Sequence, residues 1–353
     1  MLFIDLERAY DRVPREILWR VLEKKGVNIS YIDTIKYMYT NLVTKVRTSG
    51  GLTQEFPITV GLHQGSALSP YLFTLILDEL TRHIQQAIPW CLLFADDIVL
   101  VDETREGVNT KLESWRDTLE KKGIRLSRAK TEYMELKFSS IRRADDFIIK
   151  LDDQDISHCE CFKYLGSIVQ KDGGIDKDVT HRIQAGWLKW RGVSGILCDR
   201  KVPLKLKGKF YRTAIRPAML YGSECWSMNC VHEQKMGVAE MRMLRWMCGH
   251  TRLDKIRNES IRDKTGVAPI TEKMREARLR WFGHVQRKPL EEPVRRCESL
   301  VTRHVKRGRG GPIKTWNETV RKDMMYLGIS EIMTKDRAQW RQRIHIADPT
   351  MVG

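Results

Sequence analysis

The chain has 353 residues, 42% hydrophobic and 30% charged, with a formal net charge of +17, enough for two or three domains and a substantial core in a soluble, globular protein. No apolar run reaches the roughly 20 residues of a membrane-spanning helix and no signal peptide is evident, so an intracellular protein is expected, with nucleus and cytoplasm unresolved. A net +12 falls between Met236 and Gly353, leaving +5 for the rest, which points to a polyanionic partner, nucleic acid rather than a membrane surface.

Leu2-Phe3-Ile4-Asp5-Leu6 is a short apolar run broken by one acid, and predicts a strand. Met1 stands four residues before Asp5, so the chain opens inside that strand and reads as a fragment. Pro14 starts a helix with Ile17, Leu18, Val21 and Leu22 on its apolar face and Gly26 at its end. A second helix begins at Ser30, with Tyr31, Ile35, Met38 and Leu42 in periodic positions. Residues 43–58 predict a hairpin turning at Ser49-Gly50-Gly51. The glycine-bearing loop Gly61-Leu-His-Gln-Gly-Ser-Ala-Leu-Ser-Pro70 leads into a helix over 71–86, whose Leu72, Leu75, Ile76 and Leu80 can pack on a sheet.

Cys91-Leu-Leu-Phe-Ala-Asp-Asp-Ile-Val-Leu-Val101 places apolar runs on both sides of Asp96 and Asp97, two buried strands joined by a tight acidic turn. Two carboxylates beside so much apolar surface are costly unless a cation meets them. A pair of Mg²⁺ ions shared with substrate phosphates suits such oxygens; an ordinary acidic turn is the other reading. Residues 107–122 predict an amphipathic helix ended by Gly123.

Residues 147–169 hold alternating segments, including Cys161-Phe-Lys-Tyr-Leu-Gly166. From Ile175 onward the pattern is helical. Ile183, Trp187, Trp190 and Val193 have helical spacing, as do Leu204, Leu206, Phe210 and Ile215, all interleaved with basic residues that suit either duplex phosphates or a helix bundle. Basic helices follow over 236–248 and 270–285, the latter with Arg275, Arg278, Arg280 and Trp281. Val305-Lys-Arg-Gly-Arg-Gly-Gly-Pro312 is a basic linker, and two last helices are predicted over 315–327 and 330–346. The eight cysteines lack the spacing of a disulfide framework or a standard zinc finger; Cys225, Cys230, His232, Cys248 and His250 read as free or packed side chains.

An aspartate strand, a Gln-Gly-Ser loop and an Asp-Asp hairpin, in that order, resemble motifs A, B and C of the reverse transcriptase palm. Phe94-Ala-Asp-Asp97, with Ala9-Tyr10-Asp11 after the first strand, is most similar to non-long-terminal-repeat retrotransposon enzymes of the long interspersed element type. The resemblance covers 5–137 and continues loosely to about 226. It implies an α+β fold: a reverse-transcriptase-like palm, an antiparallel sheet packed by helices, then an α-helical thumb and a basic helical C-terminal region. The boundaries expected are 1–137 for the palm, 138–174 for a primer-grip-like hairpin segment, 175–235 for the thumb and 236–353 for the basic region. The family's fingers and endonuclease precede this point and do not fit in the sequence.

By this resemblance the catalytic residues are Asp5, Asp96, Asp97 and Lys130. Asp5 and Asp96 would ligate two Mg²⁺ ions, or Mn²⁺ in their place, with Asp97 auxiliary; such a metal pair lowers the pKa of a primer 3′-hydroxyl and neutralises the leaving oxygen. Tyr10 would exclude a ribose 2′-hydroxyl, with a core aromatic as its other reading. Gln64 and Gly65 would contact the nascent base pair, or form a simple loop. Ile124-Arg-Leu-Ser-Arg-Ala-Lys130-Thr-Glu132 looks like motif D, its lysine facing pyrophosphate, although the family often has Asn where Ser127 stands. Glu7 and Asp11 read as solvent-facing or salt-bridged.

RNA template, DNA primer and deoxynucleoside triphosphates are the partners so implied. RNA-directed DNA polymerisation is the expected activity, reduced or lost if the chain is a fragment. The alternative is a non-catalytic nucleic-acid-binding remnant or domesticated protein. Another palm polymerase, a group II intron maturase or an RNA-dependent RNA polymerase, is a third reading, and Tyr10 with Phe-Ala-Asp-Asp argues against the RNA polymerase. Oligomeric state is not legible in the sequence.

Overall fold

The computed structural model describes residues 1–136, 148–299 and 314–349; Phe147 and the expected linker at 305–312 lie outside them. The protein is α+β and forms two compact units, one built on Met1–Leu136 and the stretch up to Glu160, the other from Cys161 onward. Among the described residues no helix is long and apolar enough to cross a membrane.

The first unit is organised on a five-stranded sheet in the order Ser157–His158, Glu132–Tyr133, Leu2–Ile4, Asp97–Leu100, Cys91–Phe94. All neighbours are antiparallel except the outer Ser157–His158, which runs parallel to Glu132–Tyr133. Leu2–Ile4 takes the central place because its three residues are apolar on both faces, and all are buried. Leu2, Ile4 and Leu6 join Ile98 and Leu100 in one core. Over it pack Leu18 and Leu22 of Arg15–Lys24, Leu72, Phe73 and Ile76 of Ser69–Thr81, and Leu112, Trp115 and Leu119 of Arg105–Glu120. Each such side chain contributes about 1.5–3 kcal/mol on burial.

Local signals set the ends of these helices. Thr104 accepts from Gly107 N at 3.0 Å and so starts its helix at Arg105, two residues before the expected 107. The expected 71–86 helix stops at Thr81, where Gln85 Nε2 turns back to Thr81 Oγ1 at 2.9 Å. In Ile29–Met38 the buried stripe is Ile32 with half-buried Ile35, leading to buried Tyr39; the expected Tyr31 and Met38 stand 69% and 43% exposed. Two apolar stripes a residue apart were available there, and packing selected one. The 43–58 hairpin forms as expected, Val43–Thr44 pairing Phe56–Pro57 and Arg47–Thr48 pairing Gly51–Leu52.

The second unit opens with the hairpin Cys161–Tyr164/Ser167–Gln170, turning on Leu165 and Gly166, both with positive φ (47° and 85°). Asp178 fastens it to the following helix, Asp176–Gly192, by accepting from Ile168 N and Trp226 Nε1, each at 2.9 Å. Leu204–Phe210 runs into a π-helical turn, Tyr211–Ile215, before Arg216–Leu220; Pro217, without an N–H, interrupts the α ladder there. Leu206 belongs to the helical apolar spacing expected of this segment. It is 53% exposed, and Lys207 is buried instead, its ammonium donating to Met247 O at 3.0 Å, at the C-terminal end of Cys230–Met247.

Asn258–Thr265 and Ile270–Gln286 complete this core, and Trp316–Leu327 with Arg337–Ile344 builds a smaller one around Trp340. The expected 330–346 helix divides: Glu331–Lys335 is a 3₁₀ turn, and Asp336 caps a new helix through Ala338 N and Gln339 N.

Candidate active site

The acids of the first unit come together through strand pairing. Leu2 lies opposite Leu100, Phe3 opposite Val99 and Ile4 opposite Ile98. One step along that register Asp5 faces Asp97, and facing residues have their Cβ atoms about 5 Å apart. Alternation turns both acids to the side of Phe3 and Val99, away from the core that takes Leu2, Ile4, Ile98 and Leu100. The Cys91–Phe94 strand pairs with Asp97–Leu100 across the two-residue turn Ala95-Asp96, which puts Asp96 at the tip. Ala95 sits at φ +51°, a left-handed conformation that costs an L-residue about 1–2 kcal/mol. The buried strand behind it, Ile98, Val99 and Leu100, holds that strained turn in place.

Electrostatics tie these side chains to one another. Burial, then the negative charges of Asp96 and Asp5, pushes the Asp97 carboxyl above the usual range. Burial and Asp96 likewise raise the Tyr10 phenol. The counter-charge is Lys130, whose Nζ lies 3.5 Å from Asp5 Oδ2. Backbone pairing brings it there: Glu7 N donates to Arg125 O at 2.9 Å and Ser127 N to Asp5 O at 2.8 Å, and Leu6 bridges Leu126. A turn closed by Thr131 N and Oγ1 on Ser127 O (3.0 and 2.7 Å) then presents the lysine.

Asp5 Oδ2 is shielded from solvent and accepts no hydrogen bond. A shielded carboxylate oxygen that accepts no hydrogen bond and faces an exposed lysine at 3.5 Å, three neighbouring acids and oxygen-only donors fit a hard divalent cation. Among the described residues no three Asp, Glu, His or Cys side chains are already drawn around a common point. Asp5 follows the end of Leu2–Ile4 and Asp97 opens Asp97–Leu100, so the carboxylates stand at adjoining strand ends, with Lys130 on Asp5.

Tyr10 lies on the 3₁₀ turn Ala9–Arg12, its ring 5.0 Å from that of Phe73. It is therefore half core aromatic and half neighbour of Asp96. Its carbonyl accepts Leu62 N at 2.7 Å, and Val13 O accepts Gly61 N at 2.9 Å, which docks the glycine-bearing loop beside it. Gly61 has φ +85°, and a β-carbon there would lie 2.7 Å from Asp11 O, so only glycine fits. Gln64 Nε2 donates to Asp11 Oδ1 at 2.7 Å, and Gly65 takes φ +86°. Asp11 and Glu7 are exposed or ion-paired as expected, Glu7 with Arg12 at 3.3 Å.

Sequence reasoning missed two residues here. Arg15 donates to the carbonyls of Gly61, Ile58, Tyr39 and Val60 at 2.9–3.3 Å and lies over the Tyr39 ring, so it clasps the loop that carries Gln64. A lone arginine at a helix start gives no signal for that. Phe94 is 60% exposed and opposite Asp97, an aromatic on the acidic face; strand alternation from Leu93 could have found it.

In the second unit His232 Nε2 lies 3.0 Å from Asp176 Oδ1, and among the described residues no disulfide joins any of the eight cysteines. The helix over 270–286 offers fewer free cations than its sequence suggested. Arg278 is buried against Asp323 at 2.6 Å, Arg275 pairs with Glu272 and Asp323, and Arg280 with Glu276.

Residues 1–169 match the family described as reverse transcriptase (RNA-dependent DNA polymerase). Among curated relatives, the chain is 26% identical over 242 residues to a Pol polyprotein from the type-1 retrotransposable element R2 of Popillia japonica, covering 62% of the chain and 32% of the relative. It is 30% identical over 132 residues to one from the type-2 element R2DM of Drosophila melanogaster, covering 35% and 12%. With the RNA-directed DNA polymerase from the mobile element jockey of Drosophila melanogaster it shares 22% over 260 residues, covering 70% and 28%. The chain thus spans about a third or less of the length of these relatives.

Proposed function

We propose that this chain, whose residues 1–169 match the reverse transcriptase family and which is similar to the R2 and jockey retrotransposon proteins, catalyses RNA-directed DNA synthesis: attack of a DNA primer 3′-hydroxyl on the α-phosphate of a deoxynucleoside triphosphate, with pyrophosphate leaving. The observation that carries the reading is the strand register that sets Asp5 against Asp97 beside the Asp96 turn. Asp5 and Asp96 would hold two Mg²⁺ ions, with Asp97 supporting them. When bound, such a pair lowers the pKa of the attacking hydroxyl and neutralises the leaving oxygen.

Lys130, already drawn to Asp5, would turn to the leaving pyrophosphate, donating a proton or offsetting its charge. Tyr10, between Phe73 and Asp96, would bar a ribose 2′-hydroxyl. Gln64 and Gly65, fixed through Asp11 and Arg15, would frame the nascent base pair. The Cys161–Gln170 hairpin and the helices over 175–235 would grip primer and duplex phosphates, RNA template being the other strand.

The test is extension of a labelled DNA primer annealed to RNA by the full chain with Mg²⁺. Deoxynucleotide-dependent extension is expected, with Asp5→Asn and Asp96→Asn each losing at least about 10²-fold as transition-state charge stabilisation is removed. RNA binding without any extension would support the non-catalytic alternative. Extension with ribonucleotides only would assign an RNA polymerase.

A further inference from the structure

The helix Ile270–Gln286 carries a second stripe that the polymerase reading does not use. Its core side takes Ile270, Met274, Leu279 and Phe282. Arg280, Trp281, His284 and Arg287, at helical spacing, line a cavity of about 810 Å³ instead. Across it stand Arg337 and Arg341, four residues apart on one side of Arg337–Ile344.

Tight packing fixes this apposition. A β-carbon on Gly283 would come within 2.3 Å of Trp340 Nε1, so glycine lets the two helices close together. Trp340, fully buried, donates to Leu279 O at 3.0 Å and locks them.

The lining joins an aromatic platform to a cluster of cations. The Trp281 and His284 rings are stacked, with centroids 5.5 Å apart and planes 27° apart. Arg280 is paired with Glu276, and Arg287 donates to Thr334 O at 2.8 Å. Arg337 and Arg341 have no ion-pair partner among the described residues, and Glu224 is the one acid among the described lining residues. Burial and the like charge of Arg337 pull the Arg287 guanidinium below its usual range, a crowding that an anion would relieve. The space exceeds a lone phosphate, and stacked rings beside guanidinium groups suit bases and phosphates together.

We propose that this cavity binds single-stranded nucleic acid, one unpaired base stacking at Trp281–His284 and the flanking phosphates meeting Arg337 and Arg341. A duplex keeps its bases inside and cannot use the platform. The site lies within the second unit and does not depend on polymerisation.

Fluorescence anisotropy with the full chain tests it, using labelled oligo-rA and oligo-dA of on the order of ten nucleotides and a duplex of equal length. Binding of the single strand, and not of the duplex, is expected to depend on Trp281; the ratio of the RNA and DNA affinities tells which strand is preferred. Loss of one stacked base predicts about 5- to 150-fold weaker binding for Trp281→Ala, largely restored in Trp281→Phe. Arg337→Gln with Arg341→Gln should lower the slope of log affinity against log salt by about 1.4, since each single-strand phosphate contact contributes about 0.7. Thermal melts of each variant separate misfolding from lost binding, and ultraviolet crosslinking of the unmutated chain to the oligonucleotide should label Trp281. Equal binding of the single strand by parent and Trp281→Ala, an equal loss of duplex binding in Trp281→Ala, or no crosslink at Trp281 would each overturn the proposal. Primer extension run in parallel keeps the two readings apart: extension without Trp281-dependent binding sinks this site alone, and the converse sinks polymerisation alone.

Discussion

Ala95 shows how a single backbone angle serves the acidic turn. At φ +51° it accepts strain so that Asp96 stands at the tip while Phe94 and Asp97 remain paired. A β-branched side chain tolerates that region still less. Ala95→Val is therefore expected to destabilise the first unit by roughly 1–3 kcal/mol and to abolish primer extension, whereas Ala95→Gly should match or exceed the parent's stability; chemical denaturation distinguishes the three. Lys130→Ala removes the cation that lies 3.5 Å from Asp5. If the lysine assists pyrophosphate departure, single-nucleotide incorporation should slow by about 10²-fold or more with little change in primer–template affinity. An unchanged rate would make it only a surface partner.

At the scale of elements, closeness of approach decides. Gly61→Ala would force a β-carbon 2.7 Å from Asp11 O at a positive φ. The expected cost is about 1–3 kcal/mol, together with a weaker nucleotide KM, because the loop bearing Gln64 must shift. In the second unit the C-terminal stretch is pinned by Asp348, which accepts Arg216 Nη1 and Nη2 at 2.7 and 3.0 Å and Ala268 N at 2.9 Å. Burial alone would raise its carboxyl, but these donors hold it below the usual range. A depressed pKa means stability present above the unfolded carboxylate pKa and lost as pH falls through the folded value. Asp348→Asn should thus cost about 1.5–3 kcal/mol at neutral pH and remove that acid-side loss, read from denaturation midpoints against pH.

The strands bearing Asp5 and the acidic pair, the 43–58 hairpin and the helices up to 120 were legible because apolar runs and glycine signals are local. Which stripe of Ile29–Met38 is buried, the burial of Lys207, and the pairing of Arg275, Arg278 and Arg280 were not. Each depends on a partner far along the chain: Met247 for Lys207, Asp323 for Arg278. At the site, residue identities were readable, but the clasp by Arg15 was not.

For the whole molecule, the gross count of cations overstates what nucleic acid can meet. Of the 62 Lys and Arg, Arg216, Arg262, Arg275, Arg278 and Arg280 are already matched by Asp348, Glu240, Glu272, Asp323 and Glu276. Affinity for single strands should therefore fall with salt at about 0.7 per phosphate engaged, less steeply than a count of all the Lys and Arg suggests. Glu240 is buried, and Glu240→Ala, which strands Arg262, should destabilise by about 3–5 kcal/mol.

The central claim, that acids some ninety residues apart in the first unit's sequence share one divalent-cation site, is tested most directly by letting Fe²⁺ replace Mg²⁺ in the full chain and generating hydroxyl radicals with ascorbate and peroxide. Backbone cuts are predicted in two windows at once, beside Asp5 and beside Asp96-Asp97, both suppressed by excess Mg²⁺ and both lost in Asp5→Asn. Cuts confined to one window, or scattered without regard to Mg²⁺, would contradict it.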